Sequence, residues 1–285
     1  MNFALGKYVP YDTWVHRMDA RAKLAATILF MVAVFFPMAT WTMTLVAQGF
    51  LLLFVSFILA STKTRLRSIL TSLKSLWVMV LFLLIIYVLV PKATNTLGVA
   101  WTWNGWTVYW DSFAEAARVI VRLVMMIMIA MALTSSTKPL DLTYALQWYL
   151  SPLKPLHFPV EEVAMTISIA LRFIPTLLED AMRVMRAQSS RGVDFAHGNL
   201  WKRITGLTSL IIPLFVSSFL RSEELANAME CRCYDPREKR TKYRKLHFRV
   251  SDIFLLLAMA VITAGIITIS AMKIDFFALM GIVAL

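Results

Sequence analysis

Charge is what this sequence has least of. Asp, Glu, Lys and Arg make up 16% of its 285 residues, against about 25% in soluble domains. Hydrophobic residues reach 59%, and the mean hydropathy is +0.68. That balance excludes an ordinary soluble enzyme and a disordered chain. Cysteine is also scarce. Cys231 and Cys233 are the only two, and one intervening residue makes a strain-free bond between them a poor fit. No disulfide framework is implied, which suits a reducing cytoplasmic face. The four histidines, His16, His157, His197 and His247, are scattered. No nucleophile triad and no paired carboxylates stand out. Cys231, Cys233 and His247 lack the spacing of a structural zinc site. A Gly-x-x-x-x-Gly-Lys-Ser/Thr loop is missing, so the chain is not expected to bind ATP, and any energy must come from elsewhere. The start of the chain, with Lys7, Tyr8, Pro10, Asp12 and His16, does not have the shape of a signal peptide.

What the sequence does have is long apolar runs. Leu24 to Thr62 carries no charge over 39 residues, about 58 Å as a helix. One membrane crossing needs about 20 residues, so this run predicts two spans, broken at Pro37. Ser75–Pro91, Leu123–Thr137 and Ile253–Met272 supply three more uncharged runs. The net charge of +12 is distributed unevenly. Lys7, Arg17, Arg21 and Lys23 precede the first span; Lys63, Arg65, Arg67 and Lys74 separate the second from the third. Seventeen Lys and Arg lie between Lys138 and Arg249, whereas the 92–111 loop has Lys92 alone. The positive-inside rule then predicts five spans with the N-terminus in the cytoplasm and the C-terminus outside. The same bias accounts for the basic balance without nucleic acid. Trp101, Trp103, Trp106, Tyr109 and Trp110 read as an aromatic belt on a short outer hairpin or turn.

The expected organisation is therefore spans one to four in 1–137, a cytoplasmic helical module in 138–250, and a last span in 251–285. The fold class is an all-α integral membrane protein with long amphipathic cytoplasmic helices. Within the module, Ile204–Leu220 is uncharged, but Lys202, Arg203 and Arg221 flank it. It reads as part of a long helix packed on the bundle, because one more crossing would send the basic cluster at 237–249 outward. Two long helices are predicted. The first starts beside Pro159, Glu161 and Glu162, contains Pro175 and ends at Gly192. The second runs from about 199 to 234 and contains Pro213. Both prolines are expected to kink their helices.

Each long helix finishes in a small-Arg-small triplet, Ser190-Arg191-Gly192 and Cys231-Arg232-Cys233. An arginine fork grips carboxylates in two-pronged fashion, and small neighbours let a partner approach the backbone. Alternatively the two arginines simply cap their own helices and touch lipid headgroups. The repetition favours docking onto a partner with two acidic grooves. Arg118 and Arg122, near the outer end of the fourth span, are either functional intramembrane charges or side chains paired with Glu115 or Asp111 and snorkelling outward.

With these residues in view, the chain resembles the T component of energy-coupling factor (ECF) transporters, a class of ABC importers for vitamins and metal ions. The resemblance runs from Met18-Asp19-Ala20-Arg21-Ala22-Lys23-Leu24 to Tyr234. It includes Leu171-Arg172-Phe173-Ile174-Pro175, Glu179, Ala187-Gln188-Ser189-Ser190-Arg191-Gly192, Arg221-Ser222-Glu223-Glu224-Leu225-Ala226 and Ala228-Met229-Glu230-Cys231-Arg232-Cys233-Tyr234. The family's triplets are close to Ala-Arg-Gly; here Cys233 replaces the second glycine. The resemblance implies a non-catalytic subunit of the bacterial cell membrane. Its implied partners are two cytoplasmic ATPases, which bind ATP and Mg, and a small membrane S component that captures the substrate. Arg191 and Arg232 would each enter a groove of one ATPase, and the long helices would act as levers. Vitamin uptake is the expected cargo chemistry. A cobalt or nickel importer subunit and a self-contained secondary transporter are the alternatives, the last disfavoured by the lack of clear inverted repeats.

Overall fold

The computed structural model describes residues 11–36, 41–64, 66–89, 99–103, 106–156, 158–193, 195, 200–235 and 248–272. Pro37, His157, His197, His247 and most of the basic cluster at 237–249 fall outside them. In chain order the helices are α1 (Trp14–Arg17), α2 (Ala20–Phe35), α3 (Trp41–Ser61), α4 (Leu66–Ser75) and α5 (Trp77–Leu89). A hairpin of β1 (Val99–Trp103) and β2 (Trp106–Tyr109) follows. Then come α6 (Trp110–Ser136), α7 (Pro139–Leu150), a 3₁₀ turn over Ser151–Leu156, α8 (Val160–Ser190), α9 (Leu200–Glu230) and α10 (Val250–Ala271). The protein is an all-α membrane protein apart from that antiparallel hairpin, in which Trp101 pairs with Val108 and Trp103 with Trp106. It divides into two compact units, residues 1–142 with 246–285, and residues 143–245.

In the first unit α2 packs on α6 and α10, and α6 also packs on α3 and α5. The centre is Phe30, Leu51, Val55, Met125 and Met259, all fully enclosed. Alanines at 22, 26 and 33 line the buried face of α2 and let neighbouring backbones come close, the usual device where lipid removes the hydrophobic drive between helices. Thr263 on α10 donates to the Leu29 carbonyl of α2 at 3.3 Å while also bonding Met259 one turn back. The outer faces stay apolar: Leu53, Phe57, Phe254 and Leu257 are exposed. Helices apolar on both faces belong in a bilayer.

Polar groups tie three helix ends together at one level of this bundle. Asp252, fully buried, accepts from the Asp19 backbone N–H at 3.2 Å and the Arg249 N–H at 2.8 Å. Asp19 caps α2 through the Arg21 N–H at 2.9 Å. The Lys23 ammonium reaches the Ser136 carbonyl at 3.0 Å. The starts of α2 and α10 and the end of α6 therefore share one end of the bundle. Just before α2, Arg17 grips both carboxylate oxygens of Asp12, at 2.7 and 2.6 Å, and those hydrogen bonds hold the Asp12 carboxyl below its ordinary range.

Among the described residues four helices have the length and hydropathy to cross a membrane: Met43–Ser61, Trp110–Ser136, Ile204–Glu230 and Val250–Ala271. Three of them, in α3, α6 and α10, carry the expected second, fourth and fifth spans. The described parts of the first and third expected spans are α2, with 16 residues, and α5, with 13, against about 20 for a full crossing. The first uncharged run continues past the end of α2, where Phe36 is extended; the third continues past Leu89 into residues outside the described ones. The fourth run gains instead, because α6 starts at Trp110, thirteen residues before the run begins. The remaining candidate, Ile204–Glu230, lies in α9, set apart by the sequence reading as a packed helix.

Candidate docking site: two arginine-tipped helices

The second unit is built on α8 and α9, each of 31 residues. Glu161 and Glu162 fill the first turn of α8, where the N-terminal dipole favours anions. Both helices run on through their prolines. Pro175 leaves the Leu171 carbonyl, and Pro213 the Ser209 carbonyl, without the usual helical N–H donor four residues on.

The two helix ends are built alike. On α8 the Gly192 N–H donates to Ser189 O at 3.0 Å and the Val193 N–H to Gln188 O at 3.1 Å. On α9 the Cys233 N–H donates to Glu230 O at 2.9 Å and the Tyr234 N–H to Met229 O at 3.0 Å. Each is the paired 5→2 and 6→1 bonding of a Schellman cap. The residue after each arginine is left-handed, with φ of 90° at Gly192 and 55° at Cys233. The turn survives the loss of glycine, although a side chain in that region costs about 1–2 kcal/mol. The result places Arg191 and Arg232 at equivalent positions. Both are exposed, and among the described residues neither guanidinium meets a partner. Ser190 turns its hydroxyl back to the Arg186 carbonyl at 3.1 Å. The thiols of Cys231 and Cys233 are free and exposed. A cation at a helix C-terminus is stabilised by the dipole while its fork remains available to a carboxylate.

The family model described as CbiQ, cobalt transport protein, matches residues 11–243. The energy-coupling factor transporter transmembrane protein EcfT of Bacillus subtilis is 37% identical over 260 residues, 91% of this chain and 95% of that protein. Those of Heliobacterium modesticaldum and Brevibacillus brevis are 38% and 39% identical, over 91% and 88% of this chain and 94% and 92% of theirs. The chain belongs to this family of ECF transporter transmembrane components. It is thus a multi-pass membrane subunit of a transporter.

Two residues of the second unit escaped the sequence reading as a pair. The Asp180 carboxylate of α8 accepts from the Arg221 guanidinium of α9 at 2.8 Å. The side chains are 15% and 29% exposed. Arg183 lies 3.8 Å from the other oxygen of Asp180. A signal was available: opposite charges stand eleven residues before Arg191 and eleven before Arg232. Other candidates are explained locally. Arg118 pairs with Glu115 at 3.1 Å, both largely enclosed, and the Arg122 guanidinium lies over the Phe35 ring at 5.5 Å. Both arginines thus have neighbours within the bundle. Among the described residues no three His, Cys, Asp or Glu side chains converge, and His247 lies outside those residues.

Proposed function

We propose that the chain is the coupling scaffold of an ECF-type importer, with Arg191 and Arg232 each docking one of two cytoplasmic ABC ATPases. The observation that carries this reading is the pair of alike-capped helix ends, each presenting an exposed arginine with no partner among the described residues. Such duplication is hard to explain as mere capping, since the caps are already complete in backbone bonds. ATP and Mg belong to the partner ATPases, and α8 and α9, kinked at Pro175 and Pro213, carry their motion to a membrane S component. An apolar stripe on α9, Trp201, Ile204, Leu207, Ile211, Phe215 and Phe219, is exposed and suits either that component or lipid.

The bundle geometry supports the expected topology. The end of α6 and the start of α10 share one level, so the chain between them crosses an even number of times. Glu162, Arg172, Glu179, Asp180, Arg183 and Arg186 make α8 a poor crossing helix. A lone crossing by α9 would separate the two ends. The whole 138–250 segment therefore stays on the side of the N-terminus, which the Lys/Arg bias assigns to the cytoplasm of the cell membrane. A cysteine placed at Asn95 should react with an impermeant reagent from outside, and one at Asn199 only from inside; external labelling at 199 would overturn this topology.

The cargo is proposed to be a vitamin, selected by the S component. The family description names cobalt, which favours metal-ion import as the second reading. Uptake of labelled vitamins against Co²⁺ by the native complex separates the two. The test of docking is the variant with both Arg191→Ala and Arg232→Ala. It should assemble in the membrane yet fail to co-purify ATPases, and Arg→Lys should rescue poorly because the fork is lost. Normal co-purification and uptake by the double variant would reduce both arginines to helix caps.

A further inference from the structure

We infer that Asp180 and Arg221 form the pin of the two arginine-tipped helices, a positioning pair that fixes where Arg191 and Arg232 stand relative to one another. The inference deepens the docking reading and rests on it for its role in transport; the geometry of the pin itself does not.

Three observations carry it. The pair joins residues 41 apart in sequence, at 2.8 Å, and it links two different helices rather than neighbouring turns of one. It is only partly exposed, so solvent screens it less than a surface ion pair. Its position on the two helices is also matched. Asp180 precedes Arg191 by eleven residues, and Arg221 precedes Arg232 by eleven. Eleven residues are about three turns, or roughly 16 Å of axis, and return to within about 20° of the starting direction. Each arm thus places its pin residue and its docking arginine in line along one face, at equal reach from the crossing. Two equal arms from one point are what a partner with two equivalent grooves requires.

The pin's chemistry differs from that of the tips. Only one nitrogen of Arg221 bonds Asp180, and the other terminal nitrogen is enclosed without a hydrogen-bond partner among the described residues. A single-pronged bond asks for charge and reach, not for the planar fork. Lysine should therefore serve at 221 where it fails at 191 and 232.

The experiment uses the full chain and its assembled transporter. Spin labels on Cys231 and on a cysteine introduced by Ser190→Cys, in a Cys233→Gly background, report the tip-to-tip distance in nanodiscs. Asp180→Asn and Arg221→Gln should broaden that distribution, whereas Arg221→Lys should leave it narrow. In the complex the same two variants should retain their ATPases and lower uptake per ATP hydrolysed roughly ten-fold. The double variant should be no worse than either single one, since both remove one interaction. Thermal unfolding of each variant in detergent checks that the fold is kept, and the Lys result carries the argument if a neutral variant fails that check. Wild-type tip distances in the neutral variants, additive losses in the double variant, or a loss in Arg221→Lys equal to that of Arg221→Gln would each overturn the pin. Failure of the wild-type chain to co-purify ATPases would defeat the docking reading instead, with the tip distances still deciding the pin.

Discussion

The bundle and the paired arms handle polarity in opposite ways. In the bundle, Asp252, Asp19 and Lys23 are buried, and their partners are backbone groups at helix ends, their own or a neighbour's. In the arms, among the described residues, the arginines at the tips are exposed and unpaired, and an apolar stripe on α9 is uncovered. One unit turns its charges inward, and the other presents charges at its tips.

The contrast predicts where a substitution will be felt. The largest effect is expected at Asp252. Leucine there would leave the Asp19 and Arg249 N–H groups without their acceptor in a closed interior, costing about 2–5 kcal/mol. Thermal unfolding in detergent and the yield of folded protein from membranes should both fall, while an equal change at exposed Arg191 should leave both unchanged. A stability loss at 191 matching that at 252 would erase the distinction between the units. Next in size is Gly192→Ala. A Cβ at φ 90° meets no neighbouring atom within 4 Å, so the cost is backbone strain alone, about 1–2 kcal/mol. It should fray the tip, read as faster amide exchange at Val193, and weaken ATPase capture with little change in melting temperature. The smallest is Cys233→Gly. It relieves the same strain at φ 55° and should slow exchange at Tyr234, with uptake preserved. Loss of ATPase capture in that variant would mean that the thiol, not the turn, matters at the second tip.

Much of this was legible in the residues. The apolar runs located the bundle helices because hydropathy over about 20 residues is a direct bilayer criterion. The two triplets, and the glycine that closes the first, announced helix ends through local chemistry that needs no tertiary contact. The hairpin at 99–109 was likewise signalled by aromatic and glycine content. Helix lengths were less legible, since an uncharged residue can sit beyond a helix end as easily as within it; hence α2 stops before Phe36. The left-handed Cys233 was not readable, because the Schellman bonds from Cys233 and Tyr234 override a residue preference of about 1–2 kcal/mol. Asp180–Arg221 was left unread for another reason, despite the matched eleven-residue spacing. Each residue is an ordinary charge on an amphipathic helix until the crossing of α8 and α9 brings them together.

The distances on the far side of that crossing are not matched. Pro175 lies five residues before Asp180, and Pro213 eight before Arg221, about 7.5 and 12 Å of axis. A fulcrum with arms of equal length on one side and unequal length on the other is a gearbox. Under the docking proposal, equal displacements at Arg191 and Arg232 would reach the two prolines reduced by different ratios, roughly two to one on α8 and about four to three on α9. Symmetric closure of a docked ATPase pair would then leave the scaffold as a tilt rather than a squeeze.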